Sequence, residues 1–361
     1  EIASQGGISE SIIDTGAEFI RNTDEKEIRN IIEEDLDIED IKPLFANHEA
    51  IANLEGSIQF DEKRLRSYKW NDKFSLYSCP KVIDIIHALN IRYVSLCNNH
   101  VLDYKHPIEE TEAYLKSRNI CPFGLKNHDV LVANLNGVPL YIVTFATFAT
   151  EHSLHLFNPD YVIKDIQTLK KRDSNCLIAV YPHWGIEKFR YPEPADRNLA
   201  HRIIDAGADI IVGHHPHIIQ PIEIYKGKYI IYSIGNFILP QTVYPDKKLI
   251  FKDSYIQYEL IIEWDGVEVK IHTLHYDYCN NKLMINYDFP MRKLFHLFQQ
   301  QMQRSEYKKI FLSHSSFVDI IFRMRFWDSY IGEVVSFISR KIFRIIRKII
   351  IFVGLHKPYN C

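Results

Sequence analysis

The chain has 361 residues, 46% of them hydrophobic, a formal net charge of −3 and six cysteines with no CxxC spacing. That length allows one large domain with an appendage, or two domains, and the composition excludes a disordered chain. Near-neutral charge excludes a general attraction to nucleic acid, and the scattered thiols read as reduced packing residues of the cytoplasm or of a cytoplasmic membrane face.

Glu1 opens the chain without a signal-peptide pattern. Glu25 to Asp40 is rich in Glu, Asp and Ile and reads as a solvated helix before a strand at Ile51. Pro80 to Asn90 reads as an amphipathic helix with Val82, Ile85, Ile86 and Leu89 inward, and Pro107 to Asn119 as a second helix. Asn136-Gly137 between two apolar runs predicts a hairpin. Helix 159–171, strand 176–182, helix 195–206 and strand 208–213 alternate as β and α units, which predicts neighbouring parallel strands. Segments 218–225 and 229–234 follow, joined at Lys226-Gly227, and a last hairpin turns at Asp265-Gly266. From about residue 285 the chain becomes helical, aromatic and basic. In residues 331–353, Arg340, Arg344, Arg347 and Lys348 fall on one helical face, and no uncharged stretch approaches the roughly 20 residues that span a bilayer. A basic amphipathic helix on an anionic membrane surface and a helix packed on the main domain with a cationic exposed side both fit.

The chemistry gathers where apolar runs stop. Ile210-Ile211-Val212-Gly213 ends in His214-His215-Pro216-His217. Among 17 histidines in 361 residues an HxH pair is expected by chance about once, so the triplet alone is weak. The same arrangement recurs, however. Ile91 to Cys97 ends in Asn98-Asn99-His100, Cys176 to Tyr181 ends in Pro182-His183-Trp184-Gly185, and Ile51-Ala52 runs into Asn53-Leu54-Glu55-Gly56. Four strands thus deliver His, Asn or Glu at their C-terminal ends, where open α/β sheets build their sites. A metal that prefers nitrogen and oxygen ligands fits this set. A residue before proline is pushed toward extended geometry, so His215 is expected extended. His215 and His217 then point to one site while His214 faces elsewhere.

Five segments carry a resemblance: Asn53 to Glu55, Ser95 to Asp103, His183 to Glu187, Gly213 to His217 and Tyr232 to Phe237. In this order they resemble the bacterial capsule-synthesis family of the CapA, or poly-γ-glutamate, type, which is similar to the calcineurin-like metallophosphoesterases. The resemblance covers roughly residues 1–240 and extends at most to about 280. It implies an α/β (α+β) fold: a four-layer α-β-β-α sandwich of two mixed sheets, metallo-dependent phosphatase-like, over residues 1–283, with a C-terminal helical extension over 284–361. It also implies two divalent metal ions (Mn, Zn, Fe or Mg) held by Glu55, Asn99, His183, His215 and His217, lowering the pKa of a water toward about 7. His100 is then the group that protonates the leaving group, and Asp103 the carboxylate that orients it. His214, Glu187 and Asn236 are expected beside the ligands or the substrate. The family opens with a strand ending in Gly-Asp, whose Asp is a metal ligand; here Glu1 falls at the Asp position. The residues carry duller readings too. An Asn after a strand is a good turn or helix N-cap residue, and Asp103 serves equally as a first-turn helix charge. Cys97 and Trp184 read as packing or pocket wall, and His48, His87, His152, His201 and His272 as background.

The function this implies is a metal-dependent hydrolase in the synthesis or handling of a capsular or poly-γ-glutamate polymer, cleaving a phosphoester or a polymer amide bond. The alternative is a catalytically silent component of a polymer synthesis or export system on the membrane surface. Expected partners are the surface polymer or a phosphorylated precursor, an anionic membrane surface through residues 331–353 and other polymer-synthesis proteins, with no nucleic acid. The expected location is the cytoplasm or the membrane periphery.

Overall fold

The computed structural model describes residues 29–30, 36–60, 77–102, 108–125, 130–147, 158–187, 189–238, 242–244, 247–248, 254–277, 280–298 and 302–314. The chain divides into two compact units, the first holding all described residues up to Phe298. In the second, residues Arg304–His314 form a helix. Asp103, the Glu1 position and the basic 331–353 segment lie outside the described residues.

A six-stranded sheet organises the first unit, in the order Ile222–Tyr225, Lys228–Ile231, Ile210–Val212, Leu177–His183, Val138–Ala146, Val130–Leu135. The three inner pairings are parallel, as the β and α alternation predicts, and the two outer ones are antiparallel hairpins. Each hairpin turns on two residues with positive φ, Asn136-Gly137 at 54° and 86° and Lys226-Gly227 at 50° and 76°. That geometry matches the twist of the flanking strands. The parallel strands are joined through helices Pro159–Arg172 and Pro194–Ala206. Asn158 caps the first, its side-chain oxygen accepting from the Asp160 N–H at 2.9 Å, and Gly207 ends the second at φ +119°.

Side chains alternate across the central strand. Ile178 and Val180 are fully buried on the face that the two helices cover, while Ala179 and Tyr181 turn to the other face. Two smaller sheets pack side by side on that second face. A parallel sheet of Ala50–Asn53, Ile91–Ser95 and Cys121–Phe123 sets Ile51, Tyr93 and Phe123 against Leu131, Leu140, Ile142 and Tyr181. An antiparallel sheet of Tyr258–Trp264, Val269–Asp277 and Lys282–Ile285 sets Leu260, Ile262 and Ile271 against Ile210, Ile222 and Ile231. Ala179, Val212 and Trp264 belong to both contacts and join them into one core. Each fully buried isoleucine here contributes about 1.5–3 kcal/mol relative to an exposed one. Helices Val82–Ala88 and Ile108–Ser117 flank the parallel sheet and complete four layers, α-β-β-α.

At its described residues, the acidic segment before Ile51 departs from expectation. Arg29–Asn30 is a strand paired with Thr242–Val243, and Asp37 bridges to Lys282, with its N–H donating to the Asn281 carbonyl at 3.0 Å. Among the described residues, the first helix is Lys42–Phe45. Distant strands capture backbone groups that charge pattern alone assigned to a helix. Among the described residues, no helix is long and apolar enough to cross a membrane.

Candidate metal centre

The parallel register decides which side chains meet. Ala146 pairs with His183, and His183 bridges to His214, so these strands end level. In the neighbouring layer Asn53 pairs with Ser95 and Ser95 with Phe123, which levels the turns that carry Glu55 and Asn99. Asn98, legible in the sequence only as part of the motif, fastens those two turns together. Its amide nitrogen donates to the Leu54 carbonyl at 2.8 Å and the Asn53 Oδ1 at 3.3 Å, while its oxygen accepts from the N–H groups of His100 at 3.1 Å and Gly56 at 3.4 Å. An Asn directly after a strand hints at such backbone bonding; its partners 42–45 residues away in the chain cannot be read from it.

The histidine loop is not extended. His215 has φ +98° and His217 φ +58°, both in the left-handed region, which corrects the pre-proline expectation for His215. The sheet pairing stops at His214, whose N–H donates to the Pro182 carbonyl at 2.9 Å and whose own carbonyl accepts from Trp184 at 3.1 Å. Beyond that bridge the chain must reverse in few residues, and positive φ at non-glycine positions achieves this at about 1–3 kcal/mol each, a strain that gathers at ligand sites. The result the extended reading aimed at survives by this other route. His215 and His217 reach one place, while the buried His214 ring lies on Tyr181 with centroids 3.9 Å apart.

Three imidazoles converge on one carboxylate oxygen. Glu55 Oε1 lies 3.7 Å from His183 Nε2, 3.6 Å from His217 Nε2 and 3.9 Å from His100 Nε2. Asn99 Oδ1 is 2.7 Å from His183 Nε2, and the His183 and His215 rings sit 4.9 Å apart. Glu55, His183 and His215 offer ligand atoms within 4.8 Å of one another, as do Glu187, His215 and His217. Atoms bound to one ion at about 2.0–2.2 Å stand about 3–3.6 Å apart, so this cage is close to the size a divalent cation needs.

The electrostatics suit a cation as well. Burial, and then the neighbouring His215, His214, His217 and His100, hold the His183 pKa well below the usual imidazole value. His183 is therefore neutral at pH 7, with a lone pair to give. His217 Nδ1 pairs with Asn236 Oδ1 at 2.8 Å, and Asn236 Nδ2 donates to the His217 carbonyl at 2.9 Å. An amide oxygen there fixes the tautomer with its proton on Nδ1, leaving Nε2 aimed at Glu55 as a ligand. Glu55, His183 and His215 are buried, whereas the His100 and His217 side chains keep 12% exposure, which marks the open side of the cage. Trp184 is core: its indole N–H donates to the Tyr232 carbonyl at 2.9 Å and its ring packs edge-on to Phe145. His201, read as background, stacks on Tyr225 and contacts Glu223 at 3.0 Å, away from the metal-ligand groups.

Comparisons with known proteins bear on the family. The family model described as bacterial capsule synthesis protein PGA_cap matches residues 34–241. The chain is similar to the capsule biosynthesis protein CapA of Bacillus anthracis, 31% identical over 235 residues, covering 60% of this chain and 56% of that protein. It is also similar to the PGA biosynthesis protein CapA of Bacillus subtilis (strain 168), 29% identical over 218 residues, covering 56% of each. A probable polyglutamine synthesis accessory protein of Mycobacterium tuberculosis, Rv0574c, is 29% identical over 183 residues, covering 44% of this chain and 48% of that protein. The chain thus spans about half the length of the curated relatives it matches. With strand-end motifs, layered sheets and a matching family model over more than half its length, this chain belongs to the bacterial capsule synthesis protein family.

Proposed function

We propose that this chain is a metal-dependent hydrolase of the metallophosphoesterase type, acting in the synthesis or handling of a capsular or poly-γ-glutamate polymer. The observation that carries the reading is the convergence of imidazole Nε2 atoms on Glu55 Oε1, with the Asn99 amide oxygen alongside. Glu55, Asn99, His183, His215 and His217 would hold the cation. A divalent ion in that place supplies Lewis acidity and makes a water acidic enough to act as nucleophile near neutral pH.

The chain's own groups do the rest. Asn236 keeps the His217 proton on Nδ1, so Nε2 stays available. Burial keeps His183 neutral and excludes bulk water from the inner side of the cage. His100 stands at the open side, its backbone N–H anchored on Asn98 Oδ1, and its Nε2 faces the carboxylate at 3.9 Å. That position suits a proton donor to a leaving oxygen or nitrogen. The substrate is a phosphoester or an amide of an anionic polymer; the names of the relatives, which concern capsule, PGA and polyglutamine synthesis, favour the polymer. The basic 331–353 segment is proposed to bring the enzyme to an anionic membrane surface, and other polymer-synthesis proteins are its proposed neighbours there.

The test is metal analysis of the purified protein, paired with hydrolysis of phosphodiester, phosphomonoester and γ-glutamyl substrates before and after chelation. Bound divalent metal and chelator-sensitive turnover of one class support the reading. A folded protein with neither would instead be a silent assembly component. Liposome co-sedimentation with and without residues 331–361 tests the surface claim, and equal recovery removes it.

A further inference from the structure

We infer that strand Val130–Leu135, one edge of the six-stranded sheet, pairs with the same strand of a second copy of this chain, antiparallel and centred on Val132. The inference stands apart from the metal-dependent reading. Among the described residues, the strand's neighbour in the sheet is Val138–Ala146. The two-residue turn at Asn136-Gly137 makes Leu135 and Val138 the first hydrogen-bonded pair, so Leu131, Ala133 and Leu135 turn their backbone groups to that neighbour. The N–H and carbonyl groups of Val130, Val132 and Asn134 point the other way, and among the described residues nothing bonds to them.

Such an edge recruits another strand unless charge, proline or a covering element blocks it. Other edges of the molecule carry guards of this kind. At the opposite end of the same sheet, helix Arg292–His296 packs on strand Ile222–Tyr225, with Leu294 and Ile222 in one apolar cluster. Pro122 interrupts the donors of Cys121–Phe123, while Lys282–Ile285 opens on a lysine that Asp37 bridges. Val130–Leu135 reads Val-Leu-Val-Ala-Asn-Leu, without charge or proline, and its Val132 side chain is 61% exposed.

The occupant is a second copy because the edge is complementary to itself. A two-fold axis at Val132 sets Val132 against Val132, and Val130 against Asn134 in both directions. Every outward N–H and carbonyl of the three residues then meets a partner. Moving the axis by half a residue would set outward groups against inward ones, and moving it further leaves end groups unmatched. The two Val132 side chains come together on the face that carries Tyr141, a branched apolar pair with no like charge opposed to it. Strands of the two copies run in opposite directions, so the two strand-end sites lie on opposite sides of the joined sheet and both stay open.

The experiment is analytical ultracentrifugation of the full chain from about 1 to about 100 μM, the range suited to a small edge contact. The unaltered chain is expected to pass from monomer to dimer across it. Val132→Lys sets like charges on the axis, and Val132→Pro removes a donor that serves no bond within the chain. Each is expected to weaken the dimer about tenfold or more, while Val132→Thr keeps it; a melting curve confirms that each variant folds. Val132→Cys is expected to form a disulfide-linked dimer under oxidised glutathione, beyond any cross-linking of the unaltered chain, because Cα atoms of a bonded pair stand about 5.5 Å apart. Val130→Cys, off the axis, is expected not to. An unaltered chain that stays monomeric overturns the inference, and a lower melting point for Val132→Lys in that monomer would give the edge to a segment of the same chain. A dimer that survives both Val132→Lys and Val132→Pro also overturns it, placing the contact elsewhere.

Discussion

Two buried glutamates, Glu55 and Glu223, sit in the same unit and meet opposite surroundings. Glu223 is answered from within the chain: Arg197 reaches both its oxygens, at 3.1 and 2.7 Å, the Tyr232 hydroxyl donates at 2.7 Å and His201 lies at 3.0 Å. Burial alone would raise its pKa, but the hydrogen bonds from His201, Arg197 and Tyr232 outweigh it and bring the value down to about 2. Glu55 instead faces imidazole nitrogens at 3.6–3.9 Å, at least one of them held neutral by burial. A carboxylate matched by guanidinium ties helix Pro194–Ala206 to strand Ile222–Tyr225 and is complete. A carboxylate ringed by imidazoles is the arrangement that the proposed cation would share. Residue type alone does not separate structural from functional ionisable groups; the partner does.

The largest effect should come from the strut between the two regions. The Tyr232 hydroxyl reaches Glu223 and its carbonyl holds the Trp184 indole next to His183. A Cβ on Gly213 would lie 2.1 Å from that carbonyl oxygen and 2.5 Å from the indole nitrogen. Gly213→Ala is therefore expected to abolish the folded state, read as loss of soluble protein and of a cooperative melting transition; a variant that melts normally would show that the strut can yield. Next, Glu223→Gln removes one side of a buried ion pair and is expected to cost about 3–5 kcal/mol in urea unfolding, with metal content per folded molecule unchanged. Loss of metal in that variant would merge the two regions that the comparison separates. His183→Ala is expected to do the reverse, removing bound metal while shifting the melting point of the metal-free protein less than Glu223→Gln does.

A smaller, graded effect follows from pH. The Glu223 pKa is depressed on folding, so its stabilisation is complete above the ordinary value of 4.5 and is lost as pH falls toward about 2. The stability gap between the unaltered chain and Glu223→Gln should close over that window, and a gap constant from pH 6 to pH 2 would contradict the assignment. Smallest of all, Val132→Thr on the outer strand, where the side chain is 61% exposed, is expected to stay within about 0.5 kcal/mol in urea unfolding.

What could be read from the sequence was local or periodic. Apolar runs such as Ile210–Val212, the Asn136-Gly137 turn and the alternation of helix and strand across 159–212 carry their own geometry. The strand-end groups Glu55, Asn99, His183, His215 and His217 were legible because each follows such a run. Hidden from the sequence were features fixed by distant partners. Arg197 and Glu223 are 26 positions apart, and Asn98 reaches 44 positions back to Leu54. Within the acidic 25–40 segment, Arg29–Asn30 and Asp37 depart from the helical reading for the same cause, since their strand partners lie beyond residue 240. The left-handed turns at His215 and His217 arise because the loop must reverse after the bridge at His214, a demand of the sheet rather than of the residues themselves.

The double grip of Asn98 has a mechanical corollary. Two turns suspended from a single amide cannot wander separately, so the gap between the Glu55 carboxylate and the Asn99 oxygen is set by a hinge pin lying outside the cage. For the proposed cation, a bite fixed from behind in this way would discriminate by ionic radius, favouring ions that match the preset opening over those that do not.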